Sequence, residues 1–424
     1  MTTTQHTSTT DSPLLRALTA RVPVAGDGPA ASFQTGLTHT PDATVVPGGV
    51  ADVVAAVEIA ARHDAPLTVH ATGHGLSVPA AGGVLLDLAG LAGVEIDAGS
   101  RTARVGAGAS WARVIAAAAP HGLRPPSGSA PSVGVAGYLF GGGLGLAVRS
   151  DGWAADHVRS FELVDADGTV RTVDASTDGA RFARLRGTGP EPGEVVTAVT
   201  IGLLPAGPLT GGGLVRVLGP ADEPGDPAPL HEWVSWTADL PTEITSGMSV
   251  VPYPDLPFLP PHLRGRRVLR VGVTVTGTPE RADALLAPLR TAVRWDDDTV
   301  APLDPRDTAR VYAEPEMPHA YLGNGVLVDT PAPAGLDRVA TRTGPMTVTG
   351  FRHLGGAAGR AGSVPDTVRG RDAGYLVSAL APFGADTVPA GDARREVDHV
   401  LDGLAPRVAA QRSHPAFRFG PARG

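Results

Sequence analysis

The chain of 424 residues contains no cysteine and no lysine. Without thiols there are no disulfides, no thiolate metal sites and no cysteine nucleophile. Every one of the 35 basic side chains is arginine, so Schiff-base catalysis and a P-loop lysine are excluded as well. Arginine in place of lysine, with abundant alanine, glycine and proline, matches coding bias in a GC-rich genome and carries no functional information. Long apolar runs are also missing: none reaches the roughly 18 to 20 residues that cross a bilayer. The opening "MTTTQHTSTTDSPLLRAL" has neither the basic start nor the apolar core of a signal peptide. It reads as a short disordered lead, and the expected location is the cytoplasm. With a net charge of −8 and no basic block, nucleic acid and anionic membranes are not expected partners. Nothing in the sequence reports the oligomeric state.

A chain of this length exceeds one ordinary core, so two domains are expected. "PDATVVPGGVADVVAAVEIAARHDA" predicts a short strand, a Pro-Gly turn and an amphipathic helix ending at His63–Asp64. "PLTVH" predicts a strand, "IDAGSRTARV" a hairpin and "SWARVIAAAAPHGL" a helix stopped at Gly122. "VRSFELVDADGTVRTVD" predicts a hairpin turning at Asp165–Gly168, and "EVVTAVTIGLLP" a strand. A boundary is expected where Pro and Gly cluster at 205 to 213. Beyond it, "VLRVGVTVTG" and "MTVTGFRHLGG" read as strands, and "PERADALLAPLRTAV" and "AGDARREVDHVLDGLAPRVAAQ" as helices. No repeat period emerges, and the order is α+β in each part.

Two segments carry the chemistry. "LTVHATGHGLSVPAAGG" places His70 and His74 four apart among small residues. A metal pair, a flexible turn and a cofactor attachment point are the three readings. The metal pair needs both rings on one helix face, whereas a β-branched strand precedes them, glycines flank His74, and the first nearby carboxylate is Asp87. The second segment, "PPSGSAPSVGVAGYLFGGGLGLAVRSDG", holds Gly128, Gly134, Gly137, Gly141 to Gly143 and Gly145. Glycine at this density lets backbone N–H groups approach an anion such as phosphate. The spacing is not the G-x-G-x-x-G of a dinucleotide fold.

Residues 40 to 205 resemble the FAD-binding domain of the vanillyl-alcohol oxidase superfamily (PCMH-type), in its berberine-bridge-enzyme-like branch. The matching stretches include "VVPGGVADVVAAVEIAARHDAPLTVHATGHG", "GGVLLDLAGLAGVEIDAGSRTARVGAGASWARVIAAAAPHGLRPPSGSAPSVGVAGYLFGGGLGL" and "GWAADHVRSFELVDADG". Weaker echoes continue in "FRHLGGAAGR" and "RDAGYLVSALAP". The resemblance implies a two-part FAD-binding domain plus a substrate domain with an antiparallel sheet covered by helices. It implies a lead at 1–39, the FAD domain at 40–205, a substrate domain at 206–390 and a shortened return segment at 391–424. It places His74 as a covalent tether to the flavin 8α-methyl, with Ala71, Thr72, Gly73 and Gly75 in the pyrophosphate loop and His70 a structural neighbour. Ser127, Gly128, Ser129, Val133, Gly134, Gly137, Tyr138, Gly142, Gly143, Gly193 and Val195 complete the expected FAD contacts. Ala130 stands where relatives carry a second, cysteinyl tether, so attachment is through one bond. Val133 falls at the gate for O2, which favours an oxidase, and Tyr138 lies close to the flavin.

Two departures from the family pattern stand out. "RGTGPEPGEVVT" replaces a glycine-rich run, and the C-terminus shows neither the usual Asn-aromatic segment nor a final helix, which implies a more open site or altered equipment. The substrate domain offers Tyr253, Glu314, His319, Tyr321, His353 and Tyr375 as acid or base, with Tyr138, Tyr375 and His353 taken as the catalytic set. Trp233 and Trp236 read as core. The expected activity is an FAD-linked oxidase: hydride from a small molecule, a natural-product intermediate, passes to flavin N5 and O2 reoxidises it. The rival is a redox-neutral cyclase or ligand-binding protein on the same fold.

Overall fold

The computed structural model describes residues 12–25, 30–257, 259–384, 388–404, 414 and 417–420. The first part of the chain builds two sheets around one core. A small parallel sheet has the order β1 (Ala43–Val45), β3 (Val84–Asp87), β2 (Leu67–His70). Helix α1 (Pro13–Thr19) packs on α2 (Val50–Arg62), which links β1 to β2 and buries Val53, Ala56, Val57 and Ala60 at helical spacing. An antiparallel sheet has the order β4 (Val94–Asp97), β5 (Thr102–Gly106), β9 (Val195–Gly202), β7 (Val158–Val164), β8 (Val170–Val173). Both expected hairpins are present, and Gly168 closes the second at φ +83° by donating to the Asp165 carbonyl at 2.9 Å. Helices α3 (Trp111–Ala118), α4 (Val135–Phe140), α5 (Val148–Asp151) and α6 (Gly179–Leu185) and the short pair β6 (Leu123–Arg124) with β10 (Leu204–Pro205) complete this part. Gly122 ends the α3 region in the left-handed conformation at φ +66°.

The second part is one antiparallel sheet under helices. Its order is β14 (Asp297–Asp298), β11 (Thr210–Pro220), β13 (Arg266–Val275), β12 (Ile244–Pro252), β17 (Val348–His353), β18 (Tyr375–Pro382), β16 (Tyr321–Val328), with β15 (Ala301–Pro302) also on β11. Helices α7 (Ala228–Thr237), α8 (Pro279–Ala292), α9 (Pro333–Thr341) and α10 (Ala390–Leu404) cover one face. Alternation is strict: Leu269, Val271, Val273 and Val275 enter the helix-side core. Gly211 to Gly213, expected as a linker, lie inside β11. They remain glycine because other backbone crosses them: a Cβ on Gly212 would reach 2.7 Å from the Thr299 carbonyl carbon. The rest of the expected late helix, after Leu404, lies outside the described residues. Among the described residues no helix is long and apolar enough to cross a membrane.

The two parts are pinned together. Arg149 of α5 is 5% exposed and has no carboxylate partner among the described residues. Its Nε donates to the Ile244 carbonyl at 2.9 Å, Nη2 to Leu240 at 2.7 Å, and Nη1 to Leu354 and to His353 Nε2. The C-terminal segment also returns. His414 is fully buried, stacks on Trp153 at 5.4 Å, and donates its N–H to the Gly325 carbonyl at 3.0 Å. Phe419 pairs with Gly323 on the edge of β16.

Replacing Arg149 by Met leaves several carbonyls dry, each worth about 1–3 kcal/mol. The expected result is a loss of about 3 kcal/mol or more in denaturant unfolding. Burial lowers the His353 imidazole from 6.5 to about 3 and that of His414 to about 4. The unfolded chain takes up protons on these rings below about pH 6.5, whereas the folded chain does so only near 4 and 3. Their stability contribution is therefore complete above pH 6.5 and drains away as the pH falls toward 4. Melting temperature measured across that window should fall, and the fall should be shallower in His353→Asn.

Candidate functional site

β2 ends at His70, and the chain turns sharply into residues 71–75. His39 and His70 are locked by a relay of three hydrogen bonds. The Ala80 N–H donates to His39 Nδ1 at 2.9 Å, which leaves the His39 proton on Nε2. That nitrogen faces His70 Nδ1 at 3.2 Å, so His70 carries its own proton on Nε2, directed at the Ala31 carbonyl at 3.0 Å. Both ring nitrogens of His70 are thus committed, and it is a structural residue. Burial and the neighbouring imidazole push His39 below its ordinary value, which favours its neutral ring.

Gly73 makes the turn at φ +71°, and any Cβ there would collide with the Ser32 hydroxyl. The turn aims His74 away from His70. Phe33 stacks on the His74 ring at 3.8 Å with planes 13° apart, and the Tyr321 hydroxyl donates to the His74 carbonyl at 2.6 Å. Ser132 Oγ lies 3.0 Å from His74 Nε2. Burial and the nearby His319 hold the imidazole down to about 4. It is neutral at physiological pH.

The second glycine segment folds onto the first. The Gly134 N–H donates to Thr72 Oγ1 at 3.0 Å, and Val133 accepts from the Trp111 N–H at 3.0 Å. Behind this loop Tyr138 packs against Gly128 and Gly143, where side chains would collide with its ring, and edge-on to Trp111 at 5.4 Å. Among the described residues its buried hydroxyl has no partner, and burial raises its pKa. Gly142 and Gly143 turn at φ +92° and +73°. Gly193 turns at φ +87° just ahead of β9, where a Cβ would stand 2.8 Å from Ala166, and Val195 pairs with Val164 of β7. The Glu194 carboxylate between them is neutralised locally, since Arg184 Nη2 binds both of its oxygens at 2.9 and 2.8 Å.

The substrate-side sheet faces these loops through residues that alternate with its core. Gly213, Gly272 and Gly247 are register partners across β11, β13 and β12, and Arg352 follows on β17. Tyr312 lies in this glycine row, and a Cβ on Gly247 would reach 2.8 Å from its hydroxyl. The Arg352 guanidinium stacks on the Tyr312 ring at 3.8 Å and reaches Glu314 at 3.3 Å. Glu314 accepts from Ser129 of the second loop at 2.6 Å. Among the described residues it is the one carboxylate hydrogen-bonded to residues 71–75 or 127–134. His319 and Tyr321 stand beside it, their rings 4.8 Å apart.

Tyr375 and His353 sit elsewhere than expected. They are register partners whose rings stack at 5.2 Å on the helix-covered face. The Tyr375 hydroxyl is 2.8 Å from Thr237 of α7, and His353 meets Arg149. Strand alternation explains this: Gly350 and Arg352, not His353, share the loop-facing side. Tyr253 ends β12 in a separate apolar cluster, while Trp233 and Trp236 pack in the helix layer. A shallow cleft lies behind Ser127 and Gly145 against Thr274 and Thr308, and is lined by neither His74 nor Glu314.

Residues 31–36 had no signal in the sequence, yet they strap the site. Phe33 and Gln34 donate to the carbonyls of Thr72 and Gly73, while the chain pairs with His319. The N–H groups of Gly73, His74 and Gly75, and those of Gly128 to Ala130, have no acceptor among the described residues. Two such rows of donors suit a pyrophosphate and the polar edge of a flavin, and the unpartnered Tyr138 hydroxyl lies beside the second row. The residues present therefore fit FAD.

Comparison with known proteins points the same way. A family described as FAD binding domain matches residues 41–174. The FAD-dependent monooxygenase FUP4 of Fusarium proliferatum (strain ET1) is 36% identical over 165 residues, which is 38% of this chain and 32% of that protein. The FAD-linked oxidoreductase penO of Penicillium crustosum is 33% identical over 168 residues, 39% of this chain and 37% of that one. The chain matches about a third of the length of these curated relatives. Among solved structures, a chitooligosaccharide oxidase superposes with TM-score 0.80 at 18% identity, covering 95% of this chain and 90% of that one. BBE-like 1 of Physcomitrella patens gives 0.79 at 20%, covering 96% and 91%. A glucooligosaccharide oxidase of Acremonium strictum, whose FAD is 6-S-cysteinyl and 8α-N1-histidyl, gives 0.80 at 16%, covering 96% and 91%. At these identities the likeness is one of fold. Residues 41–174 therefore match an FAD-binding domain, and the described chain shares the overall fold of these solved oxidases.

Proposed function

We propose that this protein is an FAD-dependent oxidase acting on a small molecule held between the FAD loops and the eight-stranded sheet. The observation that carries this reading is the convergence of His74, both glycine loops and Glu314 at one junction between the two parts. Bound FAD supplies a hydride acceptor that O2 can reoxidise. His74 is the tether, with Ala71 to Gly75 cradling the pyrophosphate. Gly128, Ser129, Val133 and Tyr138 flank the ring system, and Val133 guards access for O2.

Glu314 is the base. A carboxylate takes the O–H or N–H proton as the neighbouring C–H hydride departs, and the substrate carbon becomes a carbonyl or imine. Ser129 orients one carboxylate oxygen and Arg352 the other, while Tyr312 fixes the guanidinium from beneath. Tyr375 and His353 are structural in this reading. Phe33, His319 and Tyr321 offer an aromatic wall to the body of the substrate.

The test is an absorption spectrum of the purified protein before and after acid precipitation. Yellow in the pellet, lost from the pellet in His74→Ala, is the expected outcome. Yellow released to the supernatant keeps FAD and removes the tether, and protein that stays colourless after incubation with FAD removes the flavoenzyme reading altogether. Screening against primary and secondary alcohols under anaerobic conditions should then bleach the flavin. Glu314→Gln should slow that bleaching by about 100-fold while retaining bound FAD; a redox-neutral protein would not bleach at all.

A further inference from the structure

The His74 ring is held on all sides but one. Phe33 covers a face, Tyr321 fixes the main chain, and Ser132 meets Nε2. The remaining nitrogen, Nδ1, has no hydrogen-bond partner among the described residues. Burial and His319 keep the ring neutral, so one nitrogen carries a lone pair at physiological pH. Which nitrogen does so is set by the hydrogen bond the other makes. The Ser132 hydroxyl can donate to Nε2 or accept from it; when it accepts, the lone pair is on Nδ1. Ser132 is itself exposed and offers a route from Nε2 to solvent.

We propose that Ser132 is the positioning residue for covalent attachment of the flavin to His74. It selects the tautomer in which Nδ1 is the nucleophile and passes the Nε2 proton outward as the new bond forms. This rests on the His74 tether proposed above. In net terms, one C–H bond of the flavin 8α-methyl and the imidazole N–H bond break, and one C–N bond forms. The two electrons and two protons leave on dioxygen as hydrogen peroxide. Thr72 contributes indirectly, because its bond to Gly134 sets the distance between the loops that carry His74 and Ser132.

The experiment is reconstitution of full-length flavin-free protein with FAD in air, following the covalent fraction by acid precipitation and in-gel flavin fluorescence. Dissociable FAD is measured separately by desalting. Ser132→Ala is expected to bind FAD as the wild type does but to attach it about tenfold or more slowly. Its residual rate should rise with buffer concentration, because an external base must then take the Nε2 proton. Ser132→Thr, which keeps the hydroxyl, should restore attachment to within about threefold. Attachment in Ser132→Ala at the wild-type rate overturns the proposal. Loss of FAD binding in that variant also overturns it, by assigning Ser132 to binding instead. Wild-type protein that holds only dissociable FAD overturns the tether first and this role with it, and His74→Ala run alongside separates the two failures.

Discussion

The bond from the Gly134 N–H to Thr72 Oγ1 governs the geometry of the site. It joins two loops that leave different sheets and are 62 residues apart in the chain. One hydrogen bond of this kind is worth only about 1 kcal/mol in net stability. Its leverage comes from what it positions. With the loops at this separation, Ser132 reaches His74 and Ser129 reaches across to Glu314. Gly134 cannot carry a side chain without pressing on Thr72, where a Cβ would stand 3.1 Å from the hydroxyl. A serine in place of Thr72 would keep the acceptor but lose the methyl group that packs against that glycine.

The second part of the site is shaped by missing side chains. Gly213, Gly272 and Gly247 leave a trough across three strands, at a cost in strand propensity that a fold tolerates only for close approach. Tyr312 fills the trough and turns it into a platform for Arg352. A guanidinium stacked on an aromatic face keeps its in-plane N–H groups available. Arg352 uses one of them on Glu314, and the position of that carboxylate is thereby set by the sheet rather than by its own loop. Rigid strands locate a proton acceptor better than a loop does.

What the sequence made legible followed from periodicity and from glycine. The hairpin at Asp165–Gly168 and helix α2 rest on local patterns whose chemistry is short-range, whereas the link between His74 and the 127–143 segment came from the family resemblance. The misplaced residues share another cause. His353 and Tyr375 were chosen for their chemistry, but which face of a strand a side chain occupies depends on register, and one residue reverses it. Gly211 to Gly213 read as a linker because glycine is usually punctuation, whereas here it admits crossing backbone. Phe33, Ser132 and Tyr312 had no signal beyond their identity. Their roles arise from contacts 41, 58 and 40 residues distant, to His74 and Arg352. Even so, "SAPSVG" did contain Ser132 two residues beyond the position that relatives use for a second tether.

The absence of lysine, uninformative about function, has a structural consequence. Arg149, Arg186 and Arg267 are each at most 5% exposed, and each donates to main-chain carbonyls from separate segments. Arg186 spans Ala155 and the 364–365 turn while stacking on Phe182 at 4.3 Å. Arg267 ties Ala221, Glu223 and Arg342. Burial lowers the pKa of all three, yet a guanidinium starts so high that it stays charged. An ammonium in the same place has three donors on one atom and a stronger hydration shell to lose. It would satisfy fewer of these spread carbonyls and would tend to shed its proton. Carbonyls at chain crossings are the groups that helices and sheets leave unpaired, and planar five-donor clamps meet them where a point charge cannot. In this chain the junction between the FAD-binding part and the sheet is held by two such clamps, Arg149 and Arg186, so the arrangement that brings His74 and Glu314 together depends on buried arginine.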